Sequence, residues 1–372
     1  MVYLDYSATT PVNKDVLDSF NKTCENYIGN PNSLHKLGMD ANKLIDDATN
    51  QIKEILNINH EVVYTSGSSE SNNLVIKGIA RKYKNRGNHI ITTSFEHSSI
   101  YAPIQYLTDE GFEIDFVKTD KNGQVDLKDL KNLIKETTIL VSIGSVNSEI
   151  GIIQPINQIA EILKQYPKCF FHSDMTQSIG KVKINMNNID FISFSAHKFY
   201  GLKGIGCLLK TEKTNIIPLI HGGKSTTNYR SGTPAPALIV SISKALRLAY
   251  QNLEEKYDIV LDNNKKIIEN LKNYDGVYIN SNDLCIPHIL NISIINVKPE
   301  TMLHALEEDE IYISTQTACS SETSVSKSVM ALTNDQKRAN SSIRISISHL
   351  TTNIEIENFM KSFDRCYKKL KR

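Results

Sequence analysis

The feature that most constrains this chain is a repeated alternation of two periodicities. Leu37, Ala41, Leu44, Ala48, Ile52 and Ile55 recur at helical spacing, "EVVYTS" (61–66) then reads as a short buried strand, and "SNNLVIKGIARKY" (71–83) returns to helix. The pattern continues through "HIITTS" (89–94), "FEIDFVKT" (112–119), "TILVSIGSV" (138–146), "KCFFHSD" (168–174), "DFISFS" (190–195) and "GIGCLLK" (204–210). Strands separated by helical or loop segments predict an α/β fold with a mainly parallel sheet and helices on both faces. After about residue 235 the helical stretch "ALIVSISKALRLAYQNLEEKYDIVLDNNKKIIENLKNY" leads into a differently ordered region. There "HILNISI" and "SIRISIS" read as strands of a smaller α+β domain, with the boundary near residue 255. A chain of 372 residues, 40% of them hydrophobic, can bury two such cores.

Charge and composition exclude several classes of partner. The balance of 42 basic against 41 acidic residues leaves no electrostatic footprint for nucleic acid or an anionic membrane. No apolar run approaches the ~20 residues of a membrane span, and "MVYLDYSATTP" lacks the layout of a signal peptide, so a cytoplasmic location is expected. The six cysteines form no C-x-x-C, which argues against a zinc site or a disulfide framework, and no metal is expected. Cys319 stands apart, because "STQTACSSETSVSKS" offers no periodic apolar face to bury it. An accessible, mobile thiol is expected there.

Four loops at strand ends carry the chemistry. "SFSAHKFYG" (193–201) puts Lys198 just beyond a strand, where the crevice at the carboxyl edge of an α/β sheet holds ligands. "TSGSSES" (65–71) sets a glycine between a strand and a helix start, where free N–H groups favour a phosphate. "FEHSSI" contributes His97, and "FHSDMTQS" ends a hydrophobic strand in Asp174, with Gln177 three residues on. An acid in that position needs a partner or a job, and a cationic ring nitrogen would be such a partner. Lysine, acid, histidine and phosphate cradle together are what pyridoxal 5′-phosphate requires: the lysine takes its aldehyde, the acid keeps the ring nitrogen protonated, and an aromatic side chain lies on the ring.

With "YLDYSATTP", "GNPNSLH", "TSGSSESNN", "EHSS", "VNSEIG", "DMTQSIGK", "SFSAHKFYGLKGIG", "HGGKSTTNYRSGT", "TACSS" and "SSIRISISHLTT" in this order, the chain resembles the NifS/IscS-type cysteine desulfurases of the class V aminotransferase group over almost its whole length. The resemblance implies the fold-type I architecture of pyridoxal-phosphate enzymes. A large domain, 13–255, would hold the mainly parallel seven-stranded sheet, and 1–12 with 256–372 would form the small domain carrying the catalytic cysteine loop. It makes Lys198 the Schiff-base lysine, puts Asp174 on the ring nitrogen and Gln177 on the phenolic oxygen, and stacks His97 on the ring. Ser68, Ser69, Ser195 and His197 would hold the phosphate, with Thr233 reaching the phosphate of the neighbouring subunit of a homodimer. Asn147 and Arg344 would hold the substrate carboxylate.

The activity so implied converts L-cysteine to L-alanine and leaves a persulfide on Cys319. An acceptor protein, either a tRNA-thiolating sulfurtransferase or an iron–sulfur scaffold, would take the sulfur, with no direct contact to nucleic acid or membrane. A selenocysteine lyase, a small-molecule aminotransferase and a non-catalytic sulfur-transfer scaffold are the rival readings. The chain departs from the family pattern at Met175, where a small alanine is usual, at His349, where many relatives have arginine, and after Cys319, where an "EPS"-like stretch is missing.

Overall fold

The structure, a computed structural model, describes residues 1–315 and 325–371. Its strands are β1 (Val2–Tyr3), β2 (Glu61–Thr65), β3 (His89–Thr92), β4 (Glu113–Phe116), β5 (Thr138–Ser142), β6 (Phe170–Asp174), β7 (Phe191–Ser195), β8 (Gly206–Lys210), β9 (Val277–Ile279), β10 (Ile289–Ile294), β11 (Ile311–Tyr312) and β12 (Ser342–Ser346). Seven of them form one sheet in the order β2-β8-β7-β6-β5-β3-β4. Only β8 runs against its neighbours, pairing antiparallel with both β2 and β7. All seven predicted strands are present, most of them trimmed at the ends. The polar residues read as strand tips, such as those of "HIITTS", leave the sheet and enter the loops of its carboxyl edge.

Successive side chains along a strand point to opposite faces, and the core divides accordingly. Tyr64, Phe171, Ile192 and Phe194 pack with Ile45, Ile52, Ile239 and Ile242 on one face. Val63, Phe170, Phe191 and Leu208 pack with Leu74, Ile79, Ile100 and Ile104 on the other. Residues with both neighbours apolar are therefore needed in every central strand, which is why the strands read as continuous hydrophobic runs. A separate cluster joins Val2 and Leu4 to Leu290, Ile292, Ile343 and Ile345, and to Val260, Ile267, Phe359 and Phe363 from the helices Leu253–Leu271 and Asn353–Leu370.

The long helical stretch is two helices, Pro236–Tyr250 and Leu253–Leu271. Asn252, at φ 54°, breaks them in the left-handed region, which asparagine tolerates better than most side chains. The first helix packs on the large sheet and the second on the smaller core. In the helix Lys36–Leu56 the buried stripe is Gly38, Ala41, Ile45, Ala48, Ile52 and Leu56. Leu37, expected inward, is 52% exposed. The periodicity located this helix, but two apolar faces were present and the sequence alone could not rank them.

Candidate active site

Lys198 sits in the turn that reverses the chain between β7 and β8, in a short 3₁₀ segment Ala196–Lys198. The turn can be tight because β8 is antiparallel. Its residues are locked to the N-terminal segment: Thr10 N–H donates to the His197 carbonyl at 2.9 Å, and Tyr200 N–H to Thr10 Oγ1 at 2.7 Å. Lys198 Nζ donates to the carbonyls of Ser7 at 2.6 Å and Ala8 at 2.8 Å. The N-terminal strand of the smaller sheet system thus leads directly into the floor of the site.

A cavity of about 420 Å³ opens at the carboxyl edge of the large sheet. Nine of the twelve predicted site residues line it: Ser68, Ser69, His97, Asp174, Gln177, Ser195, His197, Lys198 and Arg344. Asp174 ends β6 and accepts from Thr176 N–H at 2.9 Å and Asn72 Nδ2 at 2.8 Å, with no cation paired to it among the described residues. The helix Ser68–Tyr83 begins beside it, and its N-cap, Gly67, has no side chain to satisfy the first N–H groups. Ser68 N–H donates to Ser195 Oγ at 2.6 Å, and the remaining first-turn N–H groups, with the Ser68, Ser69 and Ser195 hydroxyls, are the kind of set from which a phosphate would accept. The fit extends to Gly206, where a Cβ would lie 2.6 Å from Gly67 Cα and force the cradle away from the sheet. A phosphate, a pyridine nitrogen and an aldehyde each find a complementary group here.

Arg344, on β12, is 1% exposed and held by Asp5 Oδ1 at 2.8 Å and the Ser148 carbonyl at 2.9 Å. Its Nε has no hydrogen-bond partner among the described residues. Burial lowers the pKa of His197 to about 4, with Lys198 and Lys203 adding to the effect, so this ring is neutral at physiological pH.

Two predicted residues, Asn147 and Thr233, lie off the wall of this cavity. Asn147 is absent from the cavity wall: its Nδ2 donates to the Phe95 carbonyl at 2.8 Å and Ser328 Oγ at 3.3 Å, while Oδ1 accepts from Glu149 and Ile150 N–H at 3.0 and 2.7 Å. These bonds tie Asn147 to the loop that follows β5. Thr233 is exposed and lines an adjoining cavity that shares Ser66 and Gly204 with the first. Cys319 lies outside the described residues. Of the departures, Met175 is fully buried in the sheet core and does not meet the cavity. His349 packs edge-on against Tyr200 at 5.1 Å, in a second, smaller cavity. Burial lowers it to about 4, so the charge an arginine would bring is absent.

Several residues of the site were not singled out from the sequence. Glu96, one residue before His97, lines the cavity and accepts from Thr93 Oγ1 at 2.7 Å and Gly144 N–H at 3.0 Å. Burial raises its pKa to about 7 against these hydrogen bonds. Lys181, in "DMTQSIGK", is buried and donates to Gln177 Oε1 at 2.7 Å; burial, then Lys198, lowers its pKa to about 7. Gln177 Nε2 in turn donates to the Ser7 carbonyl at 2.9 Å. All of these, with Asp5, fall inside quoted motifs, and adjacency to an assigned residue was the only available signal.

Comparison with known proteins agrees with this geometry. The profile of the Aminotransferase class-V family matches residues 2–359. A cysteine desulfurase IscS of Buchnera aphidicola subsp. Schizaphis graminum is 40% identical over 381 residues, covering 100% of this chain and 93% of that protein. A solved NifS-like protein superposes with a TM-score of 0.93 at 33% identity, over 99% of this chain and 100% of the other. A structure described as SspA in complex with cysteine gives 0.83 at 29% identity, over 95% and 100%. The chain belongs to the class-V aminotransferase family, a group of pyridoxal-phosphate enzymes of the fold described above. Within that family it is similar to cysteine desulfurases of the NifS/IscS type.

Proposed function

We propose that this chain is a pyridoxal-phosphate-dependent cysteine desulfurase, and that Lys198, Asp174 and Arg344 facing one cavity beside an anion-binding helix N-terminus is the observation that carries the reading. When bound, the cofactor supplies an aldehyde for amines and a protonated ring that spreads electron density from the substrate carbon. Lys198 would hold it and, with its amine free, would serve as the base for the substrate α-proton. Asp174 would keep a proton on the ring nitrogen. Arg344 receives the substrate carboxylate, kept in place by Asp5 and the Ser148 carbonyl. The Cys319 sulfur bonds to the substrate sulfur as the carbon–sulfur bond breaks. L-cysteine and the Cys319 thiol then give L-alanine and a Cys319 persulfide, a balance that needs no external oxidant.

The resemblance, not the cavity, assigns the sulfur to Cys319, and an acceptor protein of iron–sulfur assembly or tRNA thiolation completes the cycle. The working unit is a homodimer. Ile28, Leu34, Leu37 and Met39 are 78%, 93%, 52% and 56% exposed within one short stretch, an apolar strip that a second copy would cover. The chain has no helix, among the described residues, long and apolar enough to cross a membrane, and we place its action in the cytoplasm.

The test is alanine release from L-cysteine by the purified yellow protein. Lys198→Ala should lose the cofactor's visible absorption band and all turnover. Cys319→Ser should keep the band and lose persulfide. Retention of the Lys198-dependent band in Lys198→Ala would refute the assignment.

A further inference from the structure

His97 caps the helix Ser98–Asp109 with a ring nitrogen in place of the usual hydroxyl or carboxylate. The Ser99 backbone N–H donates to Nδ1 at 3.1 Å, and the Ser99 hydroxyl lies 2.9 Å from the same atom. A backbone N–H can only donate, so Nδ1 must present its lone pair and carry no proton. The hydroxyl is directed from its other side. Asn72, fully buried, places Nδ2 2.9 Å from Ser99 Oγ and 2.8 Å from Asp174 Oδ2. Since a carboxylate only accepts, the amide cannot be turned round without setting oxygen against oxygen. Nδ2 therefore donates to both, Ser99 Oγ is already an acceptor, and its own hydrogen points to His97 Nδ1. Burial further disfavours the charged ring, against the attraction of Asp174. The one proton of the neutral imidazole is on Nε2, which bonds to no described residue, and the ring lines the cavity.

We propose that Asn72 and Ser99 are positioning residues that fix His97 as the Nε2–H tautomer, making it a hydrogen-bond donor to whatever occupies the cavity and withholding it as a base. To accept a proton at Nε2, the ring would have to shift its hydrogen to Nδ1, against the Ser99 N–H. Proton removal from the substrate then falls to Lys198 and not to His97. The same Asn72 Nδ2 ties His97 to Asp174, so the group over the ring and the group on its nitrogen are set by one amide. This inference rests on the reading of the cavity as a pyridoxal-phosphate site.

The tautomer is read directly from ring-nitrogen chemical shifts of the full-length, cofactor-loaded protein labelled with ¹⁵N-histidine, with His97 assigned by the signal lost in His97→Gln. Nδ1 should report as unprotonated and Nε2 as protonated from about pH 6 to about pH 8. Ser99→Thr, which keeps the hydroxyl, should preserve this signature. Ser99→Ala and Asn72→Ala remove the side-chain support but leave the Ser99 backbone N–H on Nδ1, so both nitrogens should move measurably but only partway toward tautomer averaging, with kcat lowered about tenfold and KM within about twofold, the pattern of a lost transition-state contact. A protonated Nδ1 in the unsubstituted protein overturns the proposal, as do unchanged shifts in both alanine variants. Failure of the unsubstituted protein to bind pyridoxal phosphate or release alanine overturns the cavity reading instead, and the nitrogen shifts of the unloaded protein still decide the tautomer.

Discussion

Glu96 shows how far a single side chain can depart from its sequence signal. Its carboxyl is half-buried on the cavity wall, and burial lifts its folded pKa to about 7. A carboxyl whose folded pKa is raised contributes stability fully below the unfolded value, and loses it as the pH climbs through the folded value. Glu96→Gln mimics the protonated form and escapes that loss. In cofactor-free protein its melting temperature should gain on the unsubstituted chain as the pH rises from about 4.5 to about 7, and the gain should level off above. The stabilisation should be on the order of 1 kcal/mol, reduced because the carboxyl faces an open cavity. A gain that does not vary with pH would show that Glu96 is not the titrating group. At this scale the sequence was readable wherever a residue type was rare for its position, as with Lys198 and Asp174 at strand ends. It was unreadable for Glu96, Lys181 and Asn72, because burial, which gives these common polar residues their altered chemistry, is a property of the folded packing and not of the local pattern.

The element that positions the site is the antiparallel strand β8. Its first residue lies so close to the phosphate-loop glycine that a Cβ on Gly206 would sit 2.6 Å from Gly67 Cα and 2.7 Å from the Phe194 carbonyl, all backbone atoms unable to give way cheaply. Gly206→Ala should therefore separate β8 from the loop, lower the melting temperature and weaken pyridoxal-phosphate binding at least tenfold, measured by equilibrium dialysis. If Gly206→Ala bound cofactor with unaltered affinity, the close approach would not be what holds the cradle. Strand identity was legible from apolar runs, but the reversed direction of β8 was not, since a strand buried on both faces reads the same in either sense. The break at Asn252 was hidden for a related reason: the apolar positions on either side continue one helical pattern, and only the switch from one core to the other requires a bend.

For the whole molecule, the question is whether one chain makes a complete site. Thr233 is exposed and off the wall of its own cavity, on an adjoining cavity bordered by Ser66 and Gly204. The apolar strip around Leu34 and Leu37 is uncovered. Both observations are accounted for if a second copy covers the strip and Thr233 serves the partner's phosphate. Leu34→Glu with Leu37→Glu should then give a folded monomer by sedimentation, with weakened cofactor affinity, because charges cannot be buried in an apolar contact without a partner. Mixed dimers separate service to the partner from service to the residue's own site. Pairing a Lys198→Ala protomer with a Thr233→Ala protomer leaves one site that has both its own Lys198 and an intact Thr233 from across the interface, so about half of the unsubstituted activity should return. Pairing an unsubstituted protomer with one carrying both changes leaves the only Lys198-containing site facing an alanine, and that dimer should be no better than Thr233→Ala alone. The reverse ranking would place Thr233 in the service of its own chain and end the case for a shared site.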